Sequence, residues 1–306
     1  MRTMDDIIVA ASAAGRSRLA VAAAQETSVL EAVADAYEAG IACPILVGDP
    51  EAIMRAALEC REGRGLDIGK FEVVPDTDPI SSVSKAVGLV RSGEADFLMK
   101  GIVDTSILLR VVLNKEMGIG TGKLASHVAV MQTARYHKLF IITDAAINIA
   151  PDLPAFIDII GSAVKVAKAL GIAKPKVALL AAVEKVNPEK MPCTAVASIL
   201  TQMNRRGQIR DCIVDGPLAL DNAISAESAR IKKIVSDVAG DADILVAPDI
   251  EAGNILYKCL LDLAEARGAG IIMGAAKPVV LTSRADTAET KLASIALASL
   301  VGRLAG

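Results

Sequence analysis

Along the chain, short apolar runs alternate with longer stretches whose apolar residues recur at three- and four-residue spacing. The runs are CPILVG (43–48), FEVVP (71–75), ADFLMKG (95–101), LFIITD (139–144), KVALLAAV (176–183), DCIVDG (211–216), DILVAPD (243–249), IIMG (271–274) and PVVLTS (278–283). Short length, abundant Val and Ile and nearly continuous apolar character predict strands buried on both faces, as in parallel sheets. The stretches between them read as helices. In TSVLEAVADAYEAG (27–40), Val29, Leu30, Val33 and Tyr37 share one helical face and Gly40 supplies the stop. Roughly nine strands alternating with helices imply right-handed crossovers, and in such folds ligands sit beyond the carboxyl ends of the strands. Two prolines in NIAPDLP (148–154) interrupt the pattern and place a domain boundary about there.

Composition narrows the reading. A chain of 306 residues is long enough for two domains at roughly 150 residues each. Hydrophobic residues make up 53% and aromatics only 2%, so the core must be Ala, Val, Ile and Leu, which suits α/β layers. Mean hydropathy is high, at +0.45, yet no apolar run approaches the ~20 residues of a spanning helix, and no membrane association is expected. The opening segment, with Asp5 and Asp6, lacks the pattern of a secretory signal, and a cytoplasmic location is expected. Formal net charge is −3 with the two signs well mixed, so nucleic acid is not an expected partner. Five cysteines without a CxxC pair and two histidines without a ligand cluster indicate neither a disulfide framework nor a metal site.

Familiar nucleotide motifs fail. MGIGTGK (117–123) has Met117 where a phosphate loop needs Gly, Leu124 where it needs Ser or Thr, and Lys123 where a dinucleotide loop needs its third Gly. No Ser has Gly at both minus two and plus two, which removes the hydrolase nucleophile elbow. The informative segment is LTSRADTAET (281–290), where an apolar strand runs into Ser283 and Arg284 just before a helix that starts near Asp286 or Thr287. Helix N–H groups beside an Arg suit a phosphate or carboxylate. Asp286 and Glu289 also have capping-box spacing, so the same residues read equally well as a helix start.

Several strings together resemble the phosphate acetyl/butyryltransferases over nearly the whole chain: GIACPILVGD (40–49), LMKGIVDT (98–105), TDAAINIAPDL (143–153), DGPLALDNAIS (215–225), PDIEAGNILYK (248–258) and KPVVLTSRADTAE (277–289). The resemblance implies two three-layer α/β domains with mostly parallel sheets flanking a cleft, similar to isocitrate and isopropylmalate dehydrogenases. On that pattern residues 1–145 with 279–306 form the first domain and 146–278 the second. It implies transfer of a short acyl group between acyl-CoA and inorganic phosphate, directly and without a metal. The only cofactor-like molecule is the substrate CoA, and the protein is a homo-oligomer built on dimers. Ser283 and Arg284 match the family's Ser-Arg pair, with Ser283 on the CoA sulfur or the oxyanion and Arg284 on the phosphate or the acyl carbonyl. Arg110, Arg135, Lys100, Thr105, Asn254 and Lys277 are expected to bind substrate. The acetyl-type enzymes carry an Asp where this chain has Thr290, which leaves Glu289 or Asp286 as a base, or a thiolate stabilised by Arg284 alone. Lys100 and Asp104 stand where acetyl-type members often have Ser and His, which favours the butyryl branch. An acetyl-specific enzyme, an NAD(P)-linked hydroxyacid dehydrogenase and a non-catalytic CoA-binding protein are the alternatives.

Overall fold

The computed structural model describes residues 1–283 and 286–304. The chain begins with α1 (Met4–Ala13), β1 (Ser17–Ala22), α2 (Thr27–Glu38), β2 (Ala42–Gly48), α3 (Pro50–Gly63), β3 (Glu72–Pro75), α4 (Pro79–Ser92), β4 (Phe97–Lys100) and α5 (Thr105–Val112). It continues with β5 (Ser126–Gln132), β6 (Phe140–Thr143), α6 (Leu153–Ala169), β7 (Lys176–Leu180), α7 (Pro192–Arg205), β8 (Ile213–Leu218), α8 (Leu220–Ile224), α9 (Ala226–Ile231), β9 (Ile244–Val246) and α10 (Ile250–Asp262). It closes with β10 (Arg267–Met273), β11 (Val279–Val280) and α11 (Ala288–Leu304).

Two compact units result, Met4–Ala125 with Ala269–Gly306, and Ser126–Gly268 with Met1–Thr3. This division differs from the sequence expectation of 145/146 and 278/279, and strand pairing is the reason. β5 pairs antiparallel with β6, Ala129 opposite Ile142, which ties the segment from residue 126 onward to the second unit. β10 pairs antiparallel with β11, Ile271 opposite Val280, so most of β10 joins the returning segment.

In the first unit the strands lie in the order β3-β2-β1-β4-β11-β10, parallel except for β10. In the second the order is β5-β6-β9-β7-β8, parallel except for β5. The mostly parallel α/β architecture expected from the alternation is therefore present. Two strands escape the sequence pattern. β1 (SRLAVA) lies in the opening segment, where the apolar stretch is brief, and β5 (SHVAVMQ) carries polar residues that blunt its signal although Ser126 and His127 are both buried.

The core is aliphatic, as the composition requires. Leu19, Val21, Leu46, Leu98, Met99, Val279 and Val280 are fully buried at the heart of the first unit, each gaining about 1.5–3 kcal/mol from leaving water. α1, α11, α2 and α3 pack in succession, and α4 lies beside α5. Among the described residues no helix is long and apolar enough to cross a membrane.

Several helices start on an aspartate cap. Asp49 receives the Glu51 N–H, Asp78 those of Ile80 and Ser81, Asp152 that of Ala155 and Asp249 that of Ala252, each bond satisfying a donor the helix cannot. α2 and α5 have no such side-chain cap.

The tightest backbone contact lies where β4 leaves the sheet. A Cβ on Gly101 would collide with the carbonyls of Ala22 and Ala23, which cannot retreat because Gly101 N and Ile102 N donate to them at 2.8 and 2.9 Å. Gly101→Ala is expected to destabilise the protein by about 1–3 kcal/mol, the usual cost of overpacking, measured as a fall in denaturation midpoint at unchanged m-value.

Candidate active site

Three parallel strands of the first unit end together. Their register sets Ala22 of β1 beside Lys100 of β4, and Met99 beside Val280 of β11. The residues just past the strand ends, Ala23, Gly101 and Leu281 to Ser283, therefore leave the sheet along one edge. Ser283 is exposed there, directly after the buried Thr282.

The backbone of this edge presents N–H donors. α2, α5 and α11 come after these three strands, so their N-termini, with unpaired N–H groups and the positive ends of their dipoles, lie here. Glu26, at the N-cap of α2, accepts instead from Ser28 Oγ at 2.8 Å, and Asp104 makes no cap bond to α5. Lys100 is 8% exposed and its Nζ donates to the carbonyls of Gly101 and Val103 at 3.1 and 3.2 Å. It folds the loop ahead of Thr105, the half-buried first residue of α5.

Ser283 is held in a closed turn. Its N–H donates to Asp286 Oδ2 at 2.6 Å and its carbonyl accepts from Asp286 N at 3.1 Å. The expected Asp286–Glu289 capping box is not what starts α11. Thr287 caps it, its Oγ1 accepting from Thr290 N at 3.1 Å and lying 3.1 Å from Thr290 Oγ1. Asp286 is thereby turned back onto Ser283, and Glu289 is exposed in the first turn. Arg284 lies outside the described residues.

Other expected residues are distributed differently. Arg110 is exposed in the last turn of the eight-residue α5, away from its N-terminus. Lys277 is not brought to Ser283. β11 runs parallel to β4, and Pro278 O accepts from Leu98 N, so Lys277 falls near the edge where β4 begins while Ser283 lies where β4 ends. The turn that carries Lys277 is pinned instead to residues 119–121, through Ala276 N to Ile119 O at 2.8 Å and Thr121 Oγ1 to Gly274 O at 2.6 Å.

The second unit separates Asn254 from Arg135 in the same way. Asn254 Nδ2 donates to Ala145 O at 2.9 Å, clamping α10 to the carboxyl end of β6. Beside it Asp144, 4% exposed, accepts from the N–H groups of Ala146 and Ile147 at 2.8 and 3.0 Å, from Asn148 Nδ2 at 2.6 Å and from His127 N at 3.2 Å. Gly253 lets α10 approach, for a Cβ there would strike the Asp144 carbonyl. Arg135 is exposed in the hairpin turn between β5 and β6, at the opposite edge, because those strands are antiparallel. Its sequence neighbours His137 and Lys138 join Lys176 of β7 around Asp241, at 3.0, 2.8 and 2.7 Å, and Lys138 reaches Asp243 at 2.6 Å. Burial alone would raise the Asp241 carboxyl, but the two lysine ammonium groups hold it down at about 2.

An apolar cavity of about 190 Å³ opens at the carboxyl ends of β7 and β9, between Leu180, Val246, Phe156 and Cys193. Burial pushes the Cys193 thiol above its ordinary value, and pushes Cys60 and Cys212 to about 11, so all three stay protonated near neutrality and are poor nucleophiles.

Two residues of these sites do not stand out in the sequence. Asp144 comes directly after the strand LFIIT, the position where ligands and loop anchors concentrate, yet nothing local marks it as a four-donor acceptor. Lys291 is 1% exposed. A signal for it is present, since it shares a helical face with Ile295, Ala298 and Gly302 and so points into the core.

Comparison with known proteins identifies the family. Residues 77–299 match the family described as phosphate acetyl/butaryl transferase. The chain is 49% identical over 98% of both lengths to the phosphate butyryltransferase of Clostridium acetobutylicum. It is 47% identical, over 92% of its own length and 94% of the relative's, to the phosphate acetyltransferase of Thermotoga maritima. Among solved structures, the branched-chain phosphotransacylase of Enterococcus faecalis is similar with a TM-score of 0.81 and 34% identity, over 94% of this chain and 99% of that one. The chain belongs to the phosphate acetyl/butyryl transferase family.

In the native protein at about pH 7.5, iodoacetamide is expected to label exposed Cys259 and to leave Cys60 and Cys212 unmodified, as peptide mass spectrometry would read. Rapid alkylation of either buried thiol would contradict the burial described.

Proposed function

We propose that the protein catalyses reversible transfer of a butyryl or similar short acyl group between CoA and inorganic phosphate, the reaction of a phosphate butyryltransferase. The observation that carries this is the placement of Ser283 at the joint end of three parallel strands, beside helix N-termini that lack side-chain caps. The near-full-length similarity to a relative of that name supports the acyl preference.

A phosphate oxygen attacks the thioester carbonyl carbon, a C–O bond forms, the C–S bond breaks, and its electron pair leaves on sulfur as the CoA thiolate. Phosphate and thioester must meet in line, which is the task of the anion-holding edge. The Ser283 hydroxyl donates to the charge developing on the carbonyl oxygen or the sulfur, and Arg284 balances the phosphate. In the reverse direction the thiol must lose a proton. Glu289 or Asp286 takes that proton, or Arg284 stabilises the thiolate without a dedicated base. Lys100 and Thr105, at the end of β4 and the start of α5, serve binding, and no cofactor beyond the substrate CoA takes part. The protein works as a cytoplasmic homo-oligomer built on dimers, a state that light scattering would report.

The Thermotoga relative favours a second reading, an enzyme whose preferred acyl group is acetyl. The two differ by two methylenes, each worth ~1–3 kcal/mol in an apolar pocket, so kcat/KM for butyryl-CoA should exceed that for acetyl-CoA by about tenfold or more. A ratio below unity selects the acetyl reading. Ser283→Ala is expected to lower kcat for phosphate-dependent CoA release by about 10²-fold, the usual cost of losing one donor to developing charge. Absence of phosphate-dependent release from every short acyl-CoA would defeat the proposal.

A further inference from the structure

Lys291 is the fourth residue of α11 and is 1% exposed, among the largest fully buried side chains of the protein. Stability alone does not favour it there. An ammonium withdrawn from water costs several kcal/mol unless compensated, and in the first turn of a helix it faces the like-signed end of the dipole. A methionine of similar length would fill the space without either penalty.

Among the described residues the ammonium makes one directed contact. Lys291 Nζ donates to the main-chain carbonyl of Asp286 at 2.6 Å. Asp286 is also the residue that closes the turn on Ser283, accepting the Ser283 N–H with Oδ2 at 2.6 Å and donating its own N–H to the Ser283 carbonyl at 3.1 Å. Lys291 therefore grips one end of the turn from inside the helix while Ser283 forms the other. Its own N–H is spent on Thr287 O at 3.1 Å, so the side chain alone makes this connection.

We propose that Lys291 is a positioning residue for Ser283: its buried ammonium anchors the Asp286 carbonyl and so fixes the turn that presents the Ser283 hydroxyl at the strand end. The inference rests on the acyltransferase reading for its kinetic consequences, but not for the geometry of the turn. Lys291 is too deeply buried to touch substrate, so it acts through Ser283.

The test is Lys291→Met, alone and combined with Ser283→Ala. The single variant is expected to melt at or above the wild-type temperature, to lose about tenfold or more in kcat for phosphate-dependent CoA release, and to change KM for either substrate by less than about threefold, the signature of lost transition-state alignment. In the Ser283→Ala background the same substitution is expected to cost no more than about a further twofold, because the turn then has no hydroxyl to place. Hydrogen exchange reads the turn without any activity: protection of the Ser283 and Asp286 amides is expected to fall about tenfold. Should Lys291→Met fail to fold, Lys291→Gln, one bond too short to reach the carbonyl, carries the same comparison. Wild-type kcat in the single variant, a loss as large in the Ser283→Ala background as in wild type, or unchanged amide exchange would overturn the proposal. Because the exchange measurement needs no turnover, it decides the role of Lys291 even if the wild-type protein releases no CoA.

Discussion

The candidate site depends on one constraint, the approach of the β4 loop to the end of β1. Gly101 and Ile102 donate to two consecutive β1-side carbonyls, and only the absence of a side chain at 101 allows it. That contact fixes where β4 stops relative to β1, and β11, paired to the other side of β4, inherits the same level. Ser283 is exposed at a defined height because a glycine far from it in sequence cannot be anything larger. Lys100 reinforces the arrangement by closing its own loop with two hydrogen bonds.

Much of this is legible in the sequence, for identifiable reasons. Buried parallel strands must be apolar on both faces, so β2, β4, β6 and β7 stand out as runs, and the helix over 27–38 carries a clear apolar face. The Ser283 segment is legible because an apolar strand, a polar Ser-Arg pair and a helix start follow one another within the short stretch PVVLTSRADTAET. What escapes is whatever depends on partners distant in the chain. The antiparallel placement of β5 and β10 moves both unit boundaries, and nothing in SHVAVMQ states which way its neighbour runs. Lys277 looks close to Ser283 because only five residues separate them, yet an extended strand between them carries them to opposite edges. Arg135 is displaced by a hairpin for the same reason.

Polar groups in the two units serve different ends. In the second unit Asp144 and Asp241 gather donors and cations that are already part of the fold, so their charge is consumed in holding loops together. In the first unit, by contrast, α2 and α5 begin without a side-chain cap. The proposed chemistry on an anion draws on the second condition, and the first keeps the loops of its own unit in place.

The uncapped starts of α2 and α5 carry a consequence for the life of the protein. Helices that forgo an N-cap give up about 0.5–2 kcal/mol each, and the loss falls at one edge of one sheet. An anion seated there returns part of it by mass action. On the proposed reading the fold is loosest when that edge is vacant, and the lifetime of the chain in a cell is coupled to the supply of the anion it holds.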